Sequence, residues 1–397
     1  MRRLTYLTLI VALLASLVLV AAVSAAPARA DRGAWAVGVA YAVNDTVTYG
    51  GSTYKCLQAH TSQADWTPPA VPALWQLQGS AGPTSTRTPT PGGPTPTRTR
   101  TPTSAPTLPP GSKIFAPYID VSPGSGSPIM QLAGNGSGNK HYTLAFILGY
   151  GCAASWFGAY QLNTTEASAI GTRINELRAA GGDVIISFGG AAAPELANVC
   201  PSASALQAQY QAVVNMYHPY AIDLDIEDFN PTAIDIRNKA LKGVTGTRIQ
   251  YTLGVLETGF TQAQMDVLNN ARSNGTRVDL VNIMAMDYGH SVANMYSAAV
   301  SGAQAARSWL NANGFASTQL GITPMIGQND SAGEVFTTAN ASSLVSWANS
   351  NGITELAFWS VGRDNGGCPG QASASPTCSG VSQSNFQFSS IFHGFAP

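Results

Sequence analysis

"AIDLDIEDFN", residues Ala221 to Asn230, sets three acids at every second position, Asp223, Asp225 and Glu227, in a frame of Ile222, Leu224 and Ile226. Side chains alternate faces along a β-strand, so this strand carries carboxylates on one face and aliphatics on the other. A parallel barrel suits both faces, because helices cover its outside and polar side chains from the strands reach its axis. Three carboxylates a few ångström apart raise one another's pKa. Glu227 is the last of the row, at the C-terminal mouth where barrel active sites lie, and there a retained proton makes it a general acid. The rival readings of D-x-D-x-E are a solvated strand face, which has no need of aliphatics behind it, and a cation site, which recruits further oxygen ligands.

Outward from this strand, residues 113–397 alternate short apolar runs with helical patterns. The candidate strands are "IFAPYID", "YTLAFIL", "DVIISFGG", "AIDLDIE", "IQYTLGV", "VDLVNIMAM", "QLGITPM" and "ELAFWSV". Helices separate most of them, as in "TTEASAIGTRINELRAAGG", which has an N-cap Thr and a Gly stop. Eight β units predict an α/β fold, a (β/α)8 TIM barrel. A doubly wound sheet is the main alternative, but it gives the inward acids no role.

Residues 81–112 are almost only Thr, Pro, Ser, Gly and Arg and cannot bury a core; they read as a linker biased to extended polyproline conformation. Before it, residues 31–80 hold Trp35, Tyr41, Tyr49, Tyr54, Trp66 and Trp75 in a very short span. Alternation in "DTVTYGGSTYKCLQA" around Gly50-Gly51 predicts a β-hairpin in a small all-β module. So small a body cannot bury every ring, and an exposed indole face stacks on the apolar face of a sugar. Tyr54 and Trp75 are expected in its core. Residues 1–30, with Arg2-Arg3, an apolar run and a closing Ala28-Arg29-Ala30, read as a signal peptide cleaved before Asp31, the alternative being a retained anchor.

Composition narrows the function. Charged residues are 10% of the chain and the net charge is −1. No basic cluster marks the folded parts, which argues against a nucleic-acid partner and favours a neutral substrate. The five histidines are scattered without metal-ligand spacing, so neither metal nor cofactor is expected. The five cysteines allow two bridges in an exported chain. Position suggests Cys152 with Cys200 and Cys368 with Cys378, leaving Cys56 as a small buried hydrophobe. The mature protein is expected to be secreted, free of the membrane and monomeric.

The order Trp, Tyr, hairpin, Tyr-x-Cys, His-Thr, Trp-x-Pro-Pro and Leu-Trp-Gln in "AWAVGVAYAVNDTVTYGGSTYKCLQAHTSQADWTPPAVPALWQ" resembles the family 5/12 carbohydrate-binding modules. The resemblance implies chitin binding, with Trp35 and Trp66 as the chosen contacts. The rest of the chain resembles the family 18 glycoside hydrolases of compact, hevamine-like type. "ISFGG" (186–190) matches the third strand of that family, "IDLDIE" (222–227) the end of its D-x-x-D-x-D-x-E fourth strand, and Trp359 in "LAFWSVG" the tryptophan of the eighth.

There are two departures: Tyr220 stands where the first acid is expected, and "MAMD" (284–287) puts Met286 where the family has a tyrosine. Tyr288, two residues on and so on the same strand face, is the proposed substitute, with Asp287 beside it. The resemblance implies retaining hydrolysis of chitin assisted by the substrate's own acetamido group. Glu227 would be the acid, Asp225 the support of the acetamido N–H, Asp223 its proton-sharing neighbour, Tyr288 the orienting phenol and Trp359 the sugar platform.

Tyr118, Trp156 and Gln328 are further candidate groove residues. Ser187 is expected to shape the barrel interior, since it has no nucleophile elbow and no evident His partner. The short segment after the seventh strand leaves no room for the inserted domain of deep-cleft relatives, which implies an open groove and internal cutting. The alternatives are a non-catalytic chitin-binding protein and an endo-β-N-acetylglucosaminidase acting on glycoproteins.

Overall fold

A computed structural model describes residues 31–49, 52–63, 67–68, 71, 74–80, 112–122, 138–191 and 194–396. The leader, most of the linker and Trp66 lie outside them. The chain divides into two compact units, 1–99 and 100–397.

The first unit holds β1 (Asp31–Ala34), β2 (Ala40–Tyr41), β3 (Thr46–Tyr49), β4 (Ser52–Cys56), β5 (His60–Thr61) and β6 (Trp75–Ser80). One sheet runs β1-β3-β4-β6, and β2 pairs with β5. β3 and β4 are antiparallel with Tyr49 opposite Ser52, as the hairpin reading requires. The core is Tyr41, Val47, Cys56, Leu74 and Trp75, with Tyr54 packed half-buried against it. Trp75 meets Tyr41 edge-on at 4.9 Å. Cys56 is buried and unbridged, as expected, and burial raises its thiol pKa.

The second unit is a closed parallel barrel. Its strands are β7 (Ile114–Phe115) with β8 (Tyr118–Asp120), β9 (His141–Gly149), β12 (Asp183–Gly189), β13 (Ala221–Ile226), β14 (Arg248–Gly254), β15 (Leu280–Met284), β16 (Gln319–Thr323) and β19 (Glu355–Leu356). β7 and β8 are two halves of one strand interrupted by Pro117, which has no N–H to give. β7 pairs with β19 and β8 with β9, so this broken strand closes the ring. All eight expected strands are present in the expected order.

Between β9 and β12 the short β10 (Ala154–Trp156) and β11 (Tyr160–Gln161) fold back as an antiparallel extension of β9. β17 (Gly327–Gln328) and β18 (Val335–Phe336) form a hairpin beyond β16. Among the described residues the α-helices are α1 (Thr165–Ala179), α2 (Leu196–Val199), α3 (Ala203–Tyr217), α4 (Pro231–Leu241), α5 (Gln262–Asn274), α6 (Met295–Ala312), α7 (Thr338–Ser350) and α8 (Gln387–His393).

Local sequence explains the punctuation. Thr164 caps α1 through the Ala167 N–H, and Gly181, just past its end, takes the left-handed conformation. Asn230 caps α4 with Pro231 as first helical residue, so four residues separate β13 from the helix. Ile222, Leu224 and Ile226 are fully buried in the cluster that also holds Val213 of α3 and Ile234 of α4. At ~1.5–3 kcal/mol per buried aliphatic, this outer face fixes the register that turns the acids inward.

Cys152 is bridged to Cys200 and Cys368 to Cys378. No helix among the described residues is long and apolar enough to cross a membrane.

Candidate active site

β12 and β13 run in register, Ser187 beside Asp223 and Gly189 beside Asp225. The two glycines of "SFGG" make this possible. A Cβ on Gly189 would sit 2.2 Å from the Asp225 carbonyl oxygen, and one on Gly190 would meet the Phe146 ring at 2.8 Å. Both glycines have positive φ, and the Gly190 N–H donates to the Asp225 carbonyl.

The innermost acid, Asp223, is fully buried and gathers donors from three strands. The Ser187 hydroxyl donates at 2.6 Å, Thr252 at 2.7 Å and Tyr118 at 2.9 Å. Asn282 donates to Thr252 at 3.0 Å and accepts from Thr323 at 2.9 Å, so five barrel strands besides β13 hold one network. Burial raises the Asp223 pKa, and these bonds oppose the rise.

Asp225 is 6% exposed, and its Oδ1 has no hydrogen-bond partner among the described residues. Burial first, then the charges of Glu227, Asp223 and Glu195, push its pKa well above the ordinary value. Glu227, the first residue past β13, is open to the cleft. The cleft walls still desolvate it and Asp287 faces it, so its pKa is raised as well. The row therefore grades from an innermost acid held by three hydroxyl donors to two acids that face the cavity with raised pKa values.

An open cavity of about 640 Å³ lies over the row. Asp225, Glu227, Tyr118, Met286, Asp287 and Trp359 line it, as the sequence led us to expect. Trp359 stacks on Phe146 with centroids 5.7 Å apart and tilts against Tyr118 at 6.0 Å. Asp287 has a positive φ and accepts the Ser331 N–H at 2.8 Å. Buried Glu334 accepts the backbone N–H groups of Tyr288, Gly289 and His290, clamping the loop that presents Asp287.

Four expectations need correction or restatement. β15 ends at Met284, and the turn at Asp287 breaks strand alternation, so Tyr288 does not share a face with Met286. Its hydroxyl is buried away from the cavity lining without a partner among the described residues. Trp156 is fully buried, its indole N–H donating to Tyr217 at 3.0 Å, and is core rather than groove. Gln328 is tied into β17 and lies off the cavity lining, while Asp330 two residues on is part of it. In the module, Trp35 is half-buried edge-on to Tyr49 at 5.5 Å, not fully free.

Sequence reasoning missed Phe146, Asp120, Phe157 and Gln264 of the lining. Parity in "YTLAFIL" puts Phe146 with Tyr142 and Leu144 on the helix side, and it is the register shift in β9, where Leu144 pairs with Ile186 but Ile147 with Phe188, that turns it to the cleft; for Gln264, which arrives from a helix start, there was no signal. Tyr220, in place of the motif's first acid, accepts a hydrogen bond from Arg248, whose guanidinium lies 5.1 Å over its ring. A carboxyl group nevertheless enters the axis here, from Glu355 on β19.

Residues 34–76 match the model of carbohydrate-binding module family 5/12. The chain is 31% identical over 314 residues to a probable bifunctional chitinase/lysozyme of Escherichia coli, covering 71% of this chain and 34% of that protein. It is 31% identical over 284 residues to an endochitinase of Metarhizium anisopliae, covering 63% and 52%. The chain thus spans about a third and about half of these two relatives. The catalytic domain of a hyperthermophilic chitinase from Pyrococcus furiosus superimposes with a TM-score of 0.65 at 32% identity, over 72% of this chain and 95% of that one. With the acid row, its glycine neighbours and the closed barrel in place, the chain belongs to the family 18 chitinases and carries a family 5/12 carbohydrate-binding module.

Proposed function

We propose that this protein hydrolyses the β-1,4 linkages of chitin with retention, by substrate-assisted catalysis, and is exported to do so. The observation that carries this is the graded row: a hydrogen-bonded Asp223, an Asp225 with a free buried oxygen, and a Glu227 open to the cavity whose pKa is raised by partial burial and by the Asp287 charge. Glu227 gives its proton to the glycosidic oxygen as the bond to the anomeric carbon breaks. The 2-acetamido oxygen of the same sugar forms the new bond to that carbon, giving an oxazolinium ion, and the leaving chain departs as an alcohol. The free Oδ1 of Asp225 accepts the acetamido N–H and offsets the positive charge. Glu227, now a carboxylate, takes a proton from water, which attacks the anomeric carbon and restores the acetamido group.

Trp359, braced by Phe146, offers an aromatic platform to the sugar before the cut. The β17–β18 segment between β16 and α7 is a short hairpin, and the resulting open groove fits internal cutting. The module raises the local concentration of the barrel at an insoluble surface. The leader at residues 1–30 supports export, and we read the mature form as a monomer.

The test is release of soluble N-acetylglucosamine oligomers from colloidal chitin by the mature protein beside Glu227→Gln. Loss of ~10²-fold or more is expected in the variant. A parent that binds chitin and releases nothing would leave a chitin-binding protein without catalysis.

A further inference from the structure

Substrate-assisted cleavage requires the acetamido oxygen to be aimed at the anomeric carbon, and a hydrogen-bond donor on that side of the cleft does this best. Met286 has no such donor, and the Tyr288 hydroxyl is turned into the protein. We propose that the side-chain amide of Gln264 is the group that orients the acetamido oxygen of the sugar being cut; the inference rests on the function proposed above.

Gln264 is the third residue of α5 and lines the cavity although only 8% exposed. Its Oε1 accepts the Thr261 backbone N–H at 3.0 Å and also the Thr261 hydroxyl. A backbone N–H can only donate, so the oxygen must face Thr261 and the NH₂ must face away; the amide has no second orientation open to it. The helix start thus holds the donor rigidly, as preorganised stabilisation demands.

Its position is set by register. Asp225 pairs with Thr252 and Ile226 with Leu253, which puts Gly254 level with Glu227 on the neighbouring strand. Gly254 in turn pairs with Met284. A Cβ on Gly254 would lie 3.4 Å from the Gln264 Nε2, so the amide stands directly over this glycine, between the proton donor and the Met284–Met286 wall. Nε2 has no acceptor among the described residues. Of the other hydroxyls of the lining, Tyr118 and Thr252 are committed to Asp223 and Thr323 to Asn282, while Ser122 follows β8, which is not a neighbour of β14 in the barrel.

Gln264→Glu keeps the oxygen that caps α5 and removes the NH₂, and Gln264→Met removes the donor without adding charge. Both are assayed in the full chain on chitotetraose and on preformed chitobiose oxazoline, where the acetamido oxygen is already bonded to the anomeric carbon. On chitotetraose kcat should fall ~10²-fold in both variants with KM within about threefold, and on the oxazoline the loss should stay below about fivefold. Equal losses on the two substrates, or less than about a threefold loss on chitotetraose in either variant, would overturn the assignment. A parent inactive on chitotetraose would sink the functional reading itself, and this inference with it.

Discussion

Glu355 points into the barrel axis from β19, 1% exposed, with Oε1 accepting the Gln250 amide at 3.1 Å and Oε2 without a partner among the described residues. Burial first and the Asp223 charge second push its pKa from 4.5 up to about 8, against the pull of Arg248 and of Gln250. Above pH 4.5 the unfolded chain gives up this proton while the folded chain keeps it, so stability falls as pH rises, until the folded group ionises near pH 8.

At ~1.4 kcal/mol per pH unit the whole span comes to about 5 kcal/mol, which local relaxation trims to about 2–4 kcal/mol. Glu355→Gln has the shape of the protonated acid and does not titrate. In thermal unfolding it should match the parent near pH 5 and exceed it progressively towards pH 8.5, where the gap in melting temperature reaches about 4–8 °C. A stability difference that stays flat across this range, or that shrinks as pH rises, would mean that Glu355 is ionised throughout and would refute the reasoning.

Asp287 is the charge that helps hold the Glu227 proton. Asp287→Asn should let Glu227 ionise at lower pH, moving the alkaline limb of kcat/KM down; a limb that stays put rejects the coupling. Arg237, fully buried, is paired through two nitrogens with Glu195 behind the acid row. Arg237→Met strands that carboxylate and should cost about 3–5 kcal/mol in urea unfolding, most of it regained on adding Glu195→Leu. Asp364 accepts the Phe388 and Ser389 N–H groups at 3.0 and 2.7 Å and the Ser389 hydroxyl at 2.7 Å, holding the start of α8. Asp364→Asn should weaken this by about 1–3 kcal/mol, seen as faster amide exchange in residues 387–393 than elsewhere in the barrel.

The barrel was legible because period-2 alternation and apolar runs are local properties. "AIDLDIE" and seven similar runs name their own faces, and the caps Thr164 and Asn230 mark where helices begin. The acid row was legible for the same reason. Tyr288 shows where that logic stops: alternation holds only while the chain remains a strand, and a left-handed Asp287 beyond Met284 reverses the side-chain directions. Trp156 misled differently. A tryptophan beside a cleft strand reads as a platform, but a tertiary partner, the Tyr217 hydroxyl 61 residues away, satisfies its N–H in the core. Gln264 was silent, since it reaches the axis from a helix start whose local pattern says nothing about the barrel interior, whereas Glu355 shares the strand parity of Trp359 in "ELAFWSV" and its inward face was there to be read.

Both departures from the family pattern leave a missing atom that another strand or helix can place. The acid lost at Tyr220 belonged to the floor of the axis, where Glu355 now contributes a carboxyl through Gln250. The phenol lost at Met286 belonged to the cleft wall, where Gln264 presents an amide. In a closed barrel the axis is reached from every strand, so a charge or donor needed at one height has eight possible sources. Asp223, Asp225 and Glu227 do not share this freedom, because their division of labour depends on spacing along one strand. Moving any one of them to a neighbouring strand would change which acid Ser187, Thr252 and Tyr118 hold by hydrogen bonds and which is left open to the cavity.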